Sequence, residues 1–331
     1  MNTNRIPESP PLIEPLTGKG ERPLWSVMVP AYNCSHYLRA TLESILIQDA
    51  GIDAMQIEVI DDCSTDEDVA FLVREIGKGR ISYFRQQENV GSLRNFETCL
   101  KRARGKWIHL LHGDDLVKHG FYVEVENLFR KYPFAGAAFT GFSGIDEEGL
   151  ELYSNNLIQN EAGIIEDWLV KISEQQRLQA CAIVVKRSVY EELGGFFGVH
   201  YGEDWEMWAR IAANFPVAYS PENLAAYRHH NNNISARFTS TGQNIKDIKK
   251  VIGIIQTYLP VEKRKKIRTI SKRFFANYFS INAHGIYRKH RNARAALIQA
   301  KGALLLHANK TTIISLLKIY VKVLIKYKRI D

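Results

Sequence analysis

Cysteine is scarce: Cys34, Cys63, Cys99 and Cys181 are the only four in 331 residues, and none forms a Cys-x-x-Cys pair. That scatter argues against a zinc site and a disulfide scaffold, and it fits a reducing cytosol. Long apolar runs are missing too. No stretch approaches the ~18 uninterrupted apolar residues that a spanning helix requires, although 45% of the chain is hydrophobic and can build a full core. The N-terminus lacks the charged-then-apolar layout of a signal peptide, so none is expected. Acids nearly vanish from residues 241–331, which hold 3 of them against 21 Lys and Arg. Residues 1–240 carry the opposite balance, 33 acids against 23 bases, so a net charge of +8 hides −10 in front and +18 behind.

Residues 1–23 contain five prolines and few large apolar side chains, and read as a flexible Pro-rich tail. From Trp25 onward short apolar runs alternate with segments of helical spacing. The runs are Trp25–Pro30, Gln56–Ile60, Ile81–Phe84 and Trp107–Leu111. The helical segments are His36–Gln48, Asp66–Ile76 and Ser92–Arg104. That alternation predicts an α/β fold with a doubly wound, mostly parallel sheet, to which Ala135–Phe142 adds. Further on, Leu178–Val185 and Leu224–His229 read as strands and Glu203–Ala213 as a helix, with helices only from about 240. The expected division is a catalytic domain over 24–239, with halves at 24–131 and 132–239, and a basic helical extension over 240–331.

Three acidic turns stand out: Asp61-Asp62 after Val59-Ile60, Asp114-Asp115 after Leu110-Leu111-His112-Gly113, and Glu203-Asp204 after Gly202. The first two follow predicted strands, at the sheet edge where open α/β folds bind ligands. Like charges repel there unless a divalent cation or a hydrogen-bonding ligand offsets them. The pattern suits an enzyme that handles a nucleotide diphosphate through a metal. Pro30, Ala31, Tyr32 and Asn33 leave the first strand as a turn able to grip a base or ribose. Asp62 is placed to accept from the imide N–H of a uracil-like base; the structural alternative, strongest for Ser64 and Asp66, is a helix N-cap. Arg94, one turn into a helix opened by Gly91, can reach a phosphate or base, or be an ordinary exposed helix Arg.

Taken in order, Val27 to Asn33, Asp61 to Asp66, Asn89-Val90-Gly91 with Arg94-Asn95, and Gly113-Asp114-Asp115 resemble the nucleotide-sugar half of family 2 inverting glycosyltransferases. Gly194-Gly195-Phe196 with Gly202 to Trp208, and Tyr227-Arg228-His229-His230 with Asn233 and Ser235, are similar to that family's later motifs. The resemblance spans roughly residues 25–238 and implies the GT-A fold and a bacterial surface-polysaccharide type of enzyme. It implies transfer of a hexosyl or N-acetylhexosaminyl group from a nucleotide-diphosphate sugar, most simply a UDP-sugar. The acceptor would be a hydroxyl of a polysaccharide or lipid-linked oligosaccharide. Under it, Asp204 is the catalytic base, with Glu203 as the adjacent candidate. Asp114, Asp115 and His230 hold Mn²⁺ or Mg²⁺, and Arg228 and His230 belong to a lid on the diphosphate. Trp205, Trp208 and Phe196 stack on acceptor sugars, or serve as core. One departure is plain: His112 occupies the place of the usual first acid.

The last helix, about 311–330, sets Lys318, Lys322, Lys326 and Arg329 along one stripe among Ile, Leu, Val and Tyr. Its apolar side either closes the protein's own core or a homo-oligomer interface, or docks on an anionic membrane surface. The second option makes the protein cytoplasmic and peripheral on the inner face of the membrane. Three rivals are weaker. A nucleotidyltransferase needs a Gly-rich basic loop after the first strand. A nucleic-acid partner fits neither the acidic front nor the apolar tail. A catalytically impaired nucleotide-sugar sensor would explain His112 but not the retained Asp114 and Asp204.

Overall fold

Buried β-branched runs build the sheet in the computed structural model of the chain, which describes residues 5–17, 20–230 and 234–325 (backbone only for 234–237). Strands β1 (Trp25–Ala31), β2 (Met55–Asp61), β3 (Ser82–Arg85) and β4 (Trp107–Leu110) alternate with helices α1 (Ser35–Leu46), α2 (Val69–Gly77) and α3 (Ser92–Arg102). Next come β5 (Leu116–Val117), α4 (Phe121–Lys131), β6 (Ala137–Ile145), β7 (Glu151–Ser154) and β8 (Gly163–Ile164). They are followed by α5 (Trp168–Glu174), β9 (Ile183–Lys186), α6 (Arg187–Leu193), α7 (Glu203–Asn214) and β10 (Val217–Arg228). Helices α8 (Ile234–Thr241), α9 (Gln243–Tyr258), α10 (Val261–His290), α11 (Ala293–Leu306) and α12 (Lys310–Leu324) complete the described chain.

The strand order is β3-β2-β1-β4-β9-β6-β10-β5, with β7 on β6 and β8 on β10. β1 pairs in parallel with both β2 and β4, β2 with β3, and β6 with β10. β9 runs antiparallel to both β4 and β6, so the six strands β3, β2, β1, β4, β6 and β10 all point one way. The sheet is mostly parallel, as expected. β1 and β2 are buried along their whole length, which is why they read as continuous apolar runs rather than alternating ones.

The chain forms two compact units. The first takes residues up to Trp168, Leu178–Gly198 and Asn214–His230; the second takes Leu169–Arg177, Val199–Ala213 and the chain from Asn231 on. The sheet belongs to the first unit. Most of α7 belongs with the basic helices, so the division cuts through the stretch read as an acceptor half.

The flexible tail expected over residues 1–23 is instead a strap along the first unit where it is described. Ile13 is fully buried. Pro7 O and Pro11 O accept from Gly198 N at 2.9 Å and Gly195 N at 2.8 Å, and Glu14 O accepts from Arg187 Nη2 at 2.9 Å. Proline has no N–H to satisfy, so an extended Pro-rich segment can dock through its carbonyls alone. Gly194 (φ +76°) lies under the strap; a Cβ there would come within 2.8 Å of Pro10 Cβ.

Candidate active site

The first acidic turn is satisfied internally. Asp61, at the end of β2, is fully buried and accepts from Ser64 N (2.9 Å), Tyr83 Oη (2.8 Å) and Arg85 Nη1 (2.6 Å). Asp62 accepts from Val90 N (2.7 Å), Gly91 N (2.9 Å) and Asn89 Nδ2 (2.8 Å), so it shapes the loop that opens α3. Burial pushes its carboxyl up, with the Val90 and Gly91 amides opposing. Arg5, from the strap, also donates to Asn89 Oδ1.

The helix-cap alternative is met in an unexpected register. Ser64 Oγ accepts from Asn33 N at 3.0 Å, and Asp66 Oδ2 from Ser35 N at 3.0 Å, so Asp66 serves the start of α1. α2 begins at Val69 rather than Asp66, and its cap is Asp68, which accepts from Phe71 N at 2.9 Å. Among the proposed nucleotide contacts, Pro30 and Ala31 are buried in β1, while Tyr32 is 47% exposed. Asn33 (φ +49°) accepts from Thr65 N at 2.8 Å, tying the two turns together. Arg94 pairs with Glu97 at 2.6 Å, one turn along α3.

The second acidic turn is not satisfied. Gly113 fits there because a Cβ would meet Cys34 Sγ at 2.8 Å, and its N–H holds the turn to Pro30 O at 3.1 Å. Donor atoms of His112, Asp114 and Asp115 all lie within 4.8 Å of one another, a spacing that suits a metal ion. Asp114 Oδ2 accepts from His230 Nε2 at 2.9 Å. Asp115 Oδ1 accepts from Arg228 N at 2.9 Å. Asp115 Oδ2 and His230 Nδ1 are buried without a conventional hydrogen-bond partner among the described residues; the Cys181 thiol lies against Asp115. Burial raises the Asp114 carboxyl, but the His230 bond and the two imidazoles outweigh it and hold it below its usual range. Burial and then the Asp114 charge push Asp115 well above the carboxylate range. Burial also lowers His112, against the pull of Asp114, and leaves a neutral ring stacked on Phe96 at 5.2 Å.

Of the metal set expected from sequence, Asp114 and Asp115 stand in the cluster. His230 reaches Asp114 directly, and His112, read only as a missing acid, is the third member. Arg228 is not placed as a mobile diphosphate contact. It is 4% exposed and locked: its guanidinium donates to Asp114 O, Asp146 O and Glu147 O, each at 2.9 Å. It therefore positions the acidic turn. Tyr37, absent from the residues expected from sequence, has the Arg228 guanidinium over its ring at 5.0 Å and packs against the His230 ring at 4.6 Å. Asn233 of the late motif lies outside the described residues.

In the second unit, Glu203 and Asp204 open α7. Asp204 accepts from Trp205 N (2.7 Å) and Gln176 Nε2 (2.6 Å). Burial outweighs both bonds and pushes its carboxyl up to about 6. Burial, then the charges of Asp204 and Asp247, also push the Glu203 carboxyl well above its usual range. The aromatic acceptor platform fails. Trp205 is fully buried, donating to Ile172 O at 2.6 Å and packed on Phe275, and Trp208 is 2% exposed. Phe196, 3% exposed, packs on Phe96 in the first unit. Trp205 and Trp208 are core because they lie on the inner face of α7, and Phe196 because its loop packs inward.

Residues 26–194 match the family model Glycosyl transferase family 2. The chain is similar to an uncharacterized glycosyltransferase of Haemophilus influenzae, 26% identical over 69% of this chain and 72% of the relative. It is 27% identical to the putative teichuronic acid biosynthesis glycosyltransferase TuaG of Bacillus subtilis, over 65% of this chain and 82% of TuaG. Its fold is similar to that of S. aureus TarS residues 1–349, solved with UDP-GlcNAc, at a TM-score of 0.62 and 16% identity over 93% of each chain. The sheet order, the turn motifs and the match over half the chain agree: this protein belongs to glycosyl transferase family 2 and is a glycosyltransferase.

Proposed function

We propose that the protein transfers a sugar, with inversion, from a UDP-sugar to a hydroxyl of a surface polysaccharide or its lipid-linked precursor. The observation that carries this reading is the unsatisfied Asp114-Asp115 turn. Carboxylate oxygens of Asp114 and Asp115 and a ring nitrogen of His112 lie within 4.8 Å of one another there, and a buried Asp115 oxygen has only the Cys181 thiol beside it among the described residues, in a family of glycosyltransferases. The UDP-bearing S. aureus structures and the B. subtilis relative named for teichuronic acid synthesis support the donor and acceptor classes.

The donor set fits a divalent cation. Asp114, Asp115 and His112 would hold Mn²⁺ or Mg²⁺, with His230 bracing Asp114; a fold neighbour from Pyrobaculum calidifontis was solved with GDP-Man and Mn²⁺. Bound there, the ion would offset the diphosphate charge, raised further as the nucleotide departs. Asp62 holds the Asn89–Gly91 loop in shape for the nucleoside, and Tyr32 is free to meet it. Asp204, ionised, takes the proton of the acceptor hydroxyl as that oxygen attacks the anomeric carbon and the nucleoside diphosphate leaves with the bonding pair.

The test is a thermal-shift panel of UDP-, GDP-, dTDP- and CMP-sugars with Mn²⁺ or with EDTA. A metal-dependent rise confined to UDP-sugars is expected. A rise for another nucleotide overturns the donor assignment, and none at all overturns the donor site.

A further inference from the structure

Helix α12 uses little of its apolar surface to close the second unit. Ile319 is buried and Leu316 and Val323 are partly buried against α10 and α11. Ile313, Ile314, Leu317, Tyr320, Val321 and Leu324 are exposed, at the spacing of one helical stripe. No helix among the described residues is long and apolar enough to cross a membrane.

Beside the stripe, α10 and α12 enclose a groove of about 350 Å³. Lys310, Lys318 and His284 line it, with the hydroxyls of Ser280, Thr311 and Ser315, and no Asp or Glu does. Lys322 Nζ lies 3.2 Å from His284 Nδ1, and His284 Nε2 lies 3.1 Å from Ser315 Oγ. Ser315 Oγ–H donates in turn to Ser280 O at 3.3 Å. A lysine can only donate, so Nδ1 is the acceptor and Nε2 carries the proton. The imidazole is neutral and adds no charge to the groove. Burial, with the charges of Lys322 and Lys318, pushes it down and keeps it so. Ser280 Oγ, buried, has no hydrogen-bond partner among the described residues. Lys310 and Lys318, the Thr311 hydroxyl and a rim formed by Ile281 and Ile314, with no acid among the described residues lining the groove, make an anion site with an apolar border.

The geometry points to a site for the phosphate headgroup of an anionic membrane lipid in the α10–α12 groove, with the exposed α12 stripe entering the acyl boundary. The occupant follows from charge complementarity: residues 241–331 carry 21 basic side chains against 3 acids. Neither signal suffices alone. A few interfacial apolar side chains bind weakly, and firm docking takes a second, electrostatic signal. The inference concerns a surface separate from the donor turn and stands or falls independently of it.

The test is sedimentation of the full chain with phosphatidylcholine vesicles, with and without phosphatidylglycerol. Turnover of a UDP-sugar on a soluble acceptor is followed in parallel. Binding should require phosphatidylglycerol. The double variant Lys310→Gln/Lys318→Gln should bind about 30-fold more weakly, each lysine near such a surface contributing roughly fivefold. Lys249→Gln/Lys289→Gln removes equal charge elsewhere and should bind nearly as wild type; Leu317→Gln should weaken binding. Turnover in solution should be unchanged in all of them. Equal loss in both double variants, or no vesicle binding, overturns the site. So does stronger stabilisation by free glycerol phosphate than by vesicles. A dimer that Leu317→Gln dissociates, with vesicle binding intact, assigns the stripe to a second copy and overturns the proposal as well.

Discussion

Two turns on the same sheet edge carry adjacent aspartates, and they differ in what surrounds them. Around Asp61-Asp62 every carboxylate oxygen meets a donor: an arginine, a tyrosine, an asparagine and three backbone amides. Around Asp114-Asp115 one carboxylate oxygen and one imidazole nitrogen are buried with no conventional partner. Leaving such groups unmatched costs about 1–3 kcal/mol each, and proteins retain that cost where a ligand removes it. The first pair therefore builds the turn, and the second waits for something from outside. On sequence both turns show like charges that a cation or ligand would offset; at Asp61 and Asp62 internal donors do so instead.

The largest break in this scheme should come from the third pair, Glu203 and Asp204. Asp204→Asn should lower turnover by about 10²–10⁴-fold while UDP binding persists, whereas Glu203→Gln should stay close to wild type in steady-state rates. A reversed result would move the base to Glu203. Next, Asp114→Asn should cost about 10³-fold in kcat/KM, equivalent to roughly 4 kcal/mol of charge stabilisation. Its urea midpoint should hold, since no structural partner but His230 is lost. Asp62→Asn should do the opposite. An amide NH₂ would face the Gly91 and Asn89 donors, costing about 2–3 kcal/mol of stability in urea titration, with turnover reduced mainly through KM. If Asp62→Asn left stability intact, the contrast between the two turns would be lost.

The smallest expected effect is in the pH profile. The base must be ionised, and its folded-state pKa is raised to about 6. Turnover should therefore be full above that value and fall about tenfold per unit below it. Asp204→Glu, if it retains measurable activity, should shift that limb; a limb that stays fixed assigns it to another group.

Much of the sheet was legible because buried parallel strands read as apolar runs bounded by turns; β1, β2 and β4 follow that rule, and the edge strand β3, partly exposed, was read from its alternation with the helices. β5, β7 and β8 were not, being two to four residues long and without a run to see. The strap escaped because its signal is one residue, Ile13, among prolines whose docking depends on amides about 180 positions away. The donor turn was legible as a pair of acids, and its partners were not: Tyr37, Arg228 and His112 meet it only through tertiary contacts. Trp205 and Trp208 misled because a tryptophan beside a candidate base suggests a sugar platform, yet their spacing on α7 places both in the core.

The central claim is that Asp114-Asp115 is the open turn. Its most direct test is titration of Mn²⁺, followed by its paramagnetic resonance signal, into wild type and Asp114→Asn with UDP present. The account predicts a single Mn²⁺ held per wild-type chain only when UDP is added, and none held by the variant at an unchanged urea midpoint. Equal Mn²⁺ binding by both proteins would contradict it.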